Sequence, residues 1–191
     1  MLINKIIVIG ASTGGTEAII KILKELPEDF SPILIAQHMP CGFTKLYADR
    51  LNKICKMEVR EALNVDRIKP GSVLIAPGDK HMVLKKDDEG YYVTCRKGEK
   101  INGYCPSIDL LFNSAAEIAG KSSVGIILTG MGKDGAEGLL NMKKAGAYTI
   151  GQDEKTSAVY GMPMAAFDMG AVMMQAPIGD IYEILIKHLT I

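Results

Sequence analysis

The feature that most constrains this chain is an alternation. Short β-branched runs are separated by stretches of helical periodicity from one end of the sequence to the other. Residues 5–9 (KIIVI), 33–36 (ILIA), 73–76 (VLIA) and 124–128 (VGIIL) are continuous apolar runs, as strands buried on both faces should be. Between them, residues 14–26 align Ala18, Ile19, Ile22, Leu23 and Leu26 on one helical face, and residues 43–55, 107–119 and 136–145 read as further helices. Gly146 is the expected C′ residue of the last of these. Residues 147–150 and 171–174 read as late strands and 180–189 as a terminal helix. One departure from the alternation is a hairpin, residues 82–86 and 91–96, closing on Asp87-Asp88-Glu89-Gly90. The pattern predicts an α/β, doubly wound, mostly parallel sheet with helices on both faces and a small antiparallel β-hairpin. Ligands of such sheets bind outside the carboxyl ends of the strands, so chemistry is sought in the loops that follow them.

Size and charge narrow the function classes. At 191 residues the chain suits one domain with a sizeable core. Lys plus Arg and Asp plus Glu both number 22, and zero net charge argues against coating nucleic acid. The longest run without Asp, Glu, Lys or Arg is residues 30–44, which holds two prolines and a histidine and is too short to span a bilayer. Residues 1–15 lack a basic segment leading into a long apolar one, so no signal peptide, no membrane insertion and a cytoplasmic location are expected. Cys41, Cys55, Cys95 and Cys105 show neither C-x-x-C nor zinc-ligand spacing and read as reduced thiols, mostly core or incidental.

The loop after the first strand, Gly10-Ala11-Ser12-Thr13-Gly14-Gly15-Thr16-Glu17, admits three chemistries. Dinucleotide binding needs glycine where Ser12 stands. A triphosphate loop needs Lys where Thr16 stands, and Glu17 would repel phosphate. The third chemistry is nucleophilic: Gly10-x-Ser12-x-Gly14 puts a serine on a tight strand-to-helix turn, where unpaired helix N–H groups suit an oxyanion. A plain helix start with Ser or Thr as N-cap explains the same residues.

Two other strand ends supply partners for a serine. His38 follows the second strand, level with Ser12 if the strands are neighbours, and a neutral imidazole can take a serine proton. Asp134, in Thr129-Gly130-Met131-Gly132-Lys133-Asp134-Gly135, could orient that histidine or cap the following helix. His81 is expected to be structural. His188 lies in a last helical turn where a cation suits the dipole, and Asp109 stabilises a helix start. Met162, Met164, Met169, Met173 and Met174 read as adaptable core. The chain order Ser, His, Asp differs from that of α/β-hydrolases, so the G-x-S-x-G match does not import that fold.

At these residues the chain resembles the catalytic domain of the chemotaxis protein-glutamate methylesterases, the CheB family. IVIGASTGGTEAI, IAQHMPCGFTKLYADRLN, IAPGDKHM, CPSIDLLF, GIILTGMGKDGAEGL and YGMPMAA carry the resemblance over nearly the whole chain. It implies a serine hydrolase with Ser12 as nucleophile, His38 as base and Asp134 as orienting acid. Met131 matches the position whose backbone N–H serves the oxyanion hole, and the Thr13 N–H is a second donor on physical grounds. The implied substrate is a γ-glutamyl methyl ester on the methylated cytoplasmic domain of chemoreceptors. Hydrolysis yields glutamate and methanol, with deamidation of receptor glutamines in some members and no cofactor or metal required. Family members usually carry a receiver domain controlled by aspartyl phosphorylation ahead of this one. Residues 1–191 read as the catalytic domain alone, either an excised domain or a stand-alone homologue regulated by a receiver domain in trans. The family commonly has His and Arg where this chain has Tyr104 and Cys105. Two other classes compete with this reading: a receptor-binding module without activity, and a nucleotide-binding protein. Within the enzyme class, a small-molecule serine esterase is the alternative.

Overall fold

The computed structural model describes residues 5–189. In chain order the elements are β1 (Ile6–Ala11), α1 (Gly15–Leu23), β2 (Ile33–Gln37), α2 (Phe43–Ile54), β3 (Glu58–Glu61), β4 (Asp66–Arg67) and β5 (Ser72–Ile75). There follow β6 (His81–Asp87), β7 (Gly90–Arg96), α3 (Ile108–Ile118), β8 (Ser123–Ile127), α4 (Ala136–Lys144), β9 (Tyr148–Gln152), α5 (Met162–Asp168), β10 (Met174–Ala176) and α6 (Ile181–Leu189). Seven strands form one parallel sheet in the order β10-β9-β8-β1-β2-β5-β3, while β4-β7-β6 form a small antiparallel sheet. The expected hairpin is therefore two strands of a three-stranded sheet.

Strand alternation divides the core into two layers. Ile7, Ile9, Ile33 and Ile35 pack under α1, α2 and α6, while Ile6, Val8, Leu34 and Ala36 pack under α3, α4, α5 and the small sheet. Residues of β1 and β2 are buried throughout, which is why their sequence is apolar without period two. β1 pairs with β2 on one side and with β8 on the other, so the strand order reverses there, and ligands of doubly wound sheets bind at such a switch.

Three elements escape the sequence pattern. β3 (EVRE) is an edge strand with Val59 as its one buried residue, β4 is two residues long, and α5 carries Pro163 in its first turn. The late strand expected at residues 171–174 lies at Met174–Ala176 instead. The methionine stretch also differs from expectation. Met162 is buried, but Met164, Met169, Met173 and Met174 are exposed. α5 is short and turns only Met162, Pro163 and Ala166 inward, leaving its other side to solvent.

Candidate active site

The alternation that builds the core also aims the candidate nucleophile and base. Ala11 and Gln37 are register partners, and the His38 N–H donates to the Ala11 carbonyl at 3.0 Å. Ser12 and His38 thus leave neighbouring strands side by side. Both fall on the parity of Val8 and Ala36, the α3 side of the sheet.

Backbone bonds fix the Ser12 turn from both flanks. Its N–H donates to the Thr129 carbonyl at 3.0 Å, and the Thr129 hydroxyl donates to the Thr13 carbonyl at 3.0 Å. On the β2 flank, buried Gln37 donates its Nε2 to the carbonyls of Ser12 at 2.9 Å and His38 at 3.1 Å, clamping the two turns together. The clamp leaves Gln37 Oε1 buried with no partner. The Gly130 turn presses so closely that a Cβ there would stand 2.7 Å from the Ser12 Cβ, so only glycine fits. Beside it lies Met131, whose side chain is exposed. Neither the Thr13 nor the Met131 N–H donates to an acceptor among the described residues.

Asp134 is fully buried at the start of α3. One carboxylate oxygen accepts from His38 Nε2 at 2.7 Å and from the Ile108 N–H at 2.8 Å; the other accepts from the Asp109 N–H at 3.0 Å and the Ser107 hydroxyl at 3.3 Å. Burial pushes its pKa up. The His38 bond and the two backbone N–H bonds outweigh that and hold the carboxyl below its ordinary range. Asp134 therefore does not cap its own helix α4, the other role the sequence offered: its carboxylate meets the N–H groups at the start of the facing helix, α3. Asp109 returns the arrangement, accepting from the Gly138 N–H of α4 at 2.7 Å. Burial raises its pKa, and the Asp134 charge adds to the rise.

With Nε2 donating to Asp134, the other ring nitrogen of His38 carries the lone pair. That nitrogen, Nδ1, is buried and makes no hydrogen bond. The two nitrogens are exchanged relative to the usual serine-protease arrangement, in which Nδ1–H faces the acid. An imidazole with its N–H pinned by a carboxylate and its lone pair free can accept a proton.

The remaining candidates separate cleanly. His81 uses both nitrogens, Nδ1 accepting from the Ser107 N–H at 3.2 Å and Nε2 donating to the Glu99 carbonyl at 2.8 Å. His188 stacks on Tyr148 and accepts from the Lys5 ammonium at Nε2, 2.9 Å away. Burial and that cation lower its pKa, so it is a neutral acceptor and not the dipole-stabilising cation the sequence suggests. All four cysteines are free, and Cys95 alone is buried, its thiol pushed up to about 12 by desolvation. Cys41 is exposed and Cys55 and Cys105 are half-buried, so Cys95 is the core thiol and the other three lie outside it. Among the described residues no cluster of three or more His, Cys, Asp or Glu side chains is placed to hold a metal ion, and no helix is long and apolar enough to cross a membrane.

Comparison with known proteins settles the lineage. The family model for CheB methylesterase matches residues 7–185. The chain belongs to the CheB methylesterase family. It is 56% identical over 182 residues to a protein-glutamate methylesterase/protein-glutamine glutaminase of Syntrophomonas wolfei, covering 95% of this chain and 53% of that protein. A relative of the same name from Sulfurimonas denitrificans is 51% identical over 178 residues, covering 93% of this chain and 51% of its own length. The chain spans about half the length of these curated relatives. The crystal structure of the Thermotoga maritima CheB methylesterase catalytic domain superposes with a TM-score of 0.94 at 41% identity, covering 97% of this chain and 98% of that one.

Proposed function

We propose that this chain hydrolyses γ-glutamyl methyl esters on the cytoplasmic domain of chemoreceptors, through Ser12, His38 and Asp134. The observation that carries the reading is the buried His38–Asp134 pair, with Nδ1 left unpaired at the strand end beside Ser12. The names of the relatives supply protein glutamate methyl esters as the substrate class, and the family resemblance supplies the chemoreceptor.

In the mechanism, Ser12 Oγ attacks the ester carbonyl carbon and its proton passes to His38 Nδ1. The carbonyl oxygen gains the negative charge and lies against the N–H groups of Thr13 and Met131. Each such donor contributes on the order of 10²–10³ in rate. As the carbon–oxygen bond to the methoxy group breaks, the imidazolium returns the proton and methanol leaves. Water then gives a proton to Nδ1 as its oxygen attacks the acyl carbon; the carbon–Oγ bond breaks, the imidazolium returns that proton to Ser12 Oγ, and glutamate is released. Asp134 holds the Nε2–H tautomer and stabilises the imidazolium without taking its proton. A glutamine amide follows the same course with ammonia as leaving group, in keeping with the second half of the relatives' name. Such substrates place the reaction in the cytoplasm, and a receiver domain in cis or in trans is the regulator that the family resemblance implies.

Methanol release from methylated receptor fragments tests the reading. The wild-type chain should release methanol and Ser12→Ala should not; undiminished release by Ser12→Ala would exclude this mechanism.

A further inference from the structure

His38 is held at one edge by a single bond to Asp134, and one bond does not fix the plane of a ring. The second constraint comes from Tyr104. Its ring lies flat on the imidazole, with centroids 4.0 Å apart and planes within 6°. The segment bearing Tyr104 is itself hydrogen-bonded into a tight turn. Ile101 and Tyr104 exchange both backbone hydrogen bonds, at 3.0 and 2.9 Å, across a two-residue turn in which Asn102 has φ 51° and Gly103 φ 90°. Asn-Gly with both φ values positive is the favoured composition for so tight a hairpin. The far end of the side chain abuts the oxyanion loop, where a Cβ on Gly132 would stand 3.0 Å from the Tyr104 hydroxyl. Tyr104 thus borders both the base and the loop that presents the Met131 N–H. It also divides two cavities of about 470 and 350 Å³, one reaching Asp134 and Met169, the other His38 and Cys105.

We propose that Tyr104 is a positioning residue for the base: its ring fixes the plane of the His38 imidazole and its π-face stabilises the imidazolium formed in each step. The inference rests on the Ser12, His38 and Asp134 reading above. A stacked aromatic pair contributes beyond its buried area, and a ring face attracts a cation. The charged groups facing this pair are Asp134 from the loop before α4 and Lys100 in the outer cavity. Beyond Tyr104 lie Asp109, Lys133 and Glu137 in the larger cavity.

The experiment compares Tyr104→Leu with Tyr104→Phe. Leucine keeps apolar bulk but not the π-face; phenylalanine keeps the ring. In methanol release, Tyr104→Leu should lower kcat about tenfold at unchanged KM and move the acid limb of kcat/KM to lower pH by about half a unit. Phenylalanine should restore kcat to within about threefold. In parallel, His38 ring signals are followed by NMR in a Ser12→Ala background, where no hydrolysis is needed. They should titrate at lower pH when Tyr104→Leu is added than when the tyrosine is kept. A rise in KM alone, or ring signals that titrate alike in both, would overturn the proposal. Equal impairment by leucine and phenylalanine would overturn it too, assigning the effect to the hydroxyl at Gly132. If Ser12→Ala still released methanol at the wild-type rate, the triad reading itself would fall, and the positioning role with it.

Discussion

His38 and His81 invite comparison. His38 directly follows β2, and His81 opens β6 beyond the end of β5, the strand paired with β2. Both side chains are largely buried, and both end on one corner of the molecule, the start of α3. His81 holds the Ser107 N–H, and His38 holds Asp134, which accepts from the Ser107 hydroxyl. The difference is one ring nitrogen. His81 has both nitrogens bonded and nothing left to exchange with a substrate; His38 keeps Nδ1 buried and unbonded. An orphaned polar atom costs stability, and such costs concentrate where chemistry needs them. Burial alone does not separate the proposed base from the structural histidine here. The hydrogen-bond inventory does.

The largest effect expected from breaking this pair is on rate. His38→Gln should lower kcat in methanol release by about 10⁴–10⁶ while circular dichroism and melting temperature stay near wild type. Asp134→Asn should cost about 10⁴ in kcat by losing the productive tautomer. It should also destabilise the fold in denaturant titrations, because four hydrogen bonds lose their charged acceptor. The sign with pH follows from the depressed carboxyl. Its stabilisation is fully present above the unfolded aspartate value of about 3.9 and is lost as pH falls through the folded value. Acid unfolding below pH ~4 should therefore be blunter in Asp134→Asn.

His81→Phe inverts the profile of His38→Gln. It leaves the Ser107 N–H and Glu99 carbonyl unpaired, so chemical denaturation should show a loss of about 1–3 kcal/mol, with kcat reduced less than tenfold. An activity loss at His81 as deep as at His38 would erase the contrast. The smallest effect is at His188, whose folded pKa is depressed. There the unfolded chain binds the extra proton, so stability is retained above pH ~6.5 and declines as pH falls through that value toward the folded one. Melting temperature measured from pH 7.5 to 5.5 should drop slightly more in wild type than in His188→Phe, which keeps the Tyr148 stack.

How much of this is legible in the sequence follows the same physics. The parallel strands are readable because burial on both faces imposes uninterrupted apolar runs, and the helices because their packed faces repeat. β3, β4 and α5 bury too few residues to leave a period, so they leave no signal. Within the site, Ser12, His38 and Asp134 are legible as loop residues at strand ends. Gln37 is not, since a buried glutamine at the end of an apolar strand has no signature until its carbonyl partners are known. Tyr104 has no signature of its own as a partner of His38, and the Asn-Gly turn before it is the available clue to its setting. The exposed methionines defy the expected core role because thioether content reports adaptability, not depth.

The central claim is that Ser12 is a nucleophile activated by His38. Labelling with a fluorophosphonate ester, located by peptide mass spectrometry, tests it without a receptor. The account predicts one adduct, on Ser12, formed at least about 10³-fold more slowly in His38→Gln and at nearly the wild-type rate in His81→Phe. An adduct on another residue, or a labelling rate unchanged by His38→Gln, would contradict it.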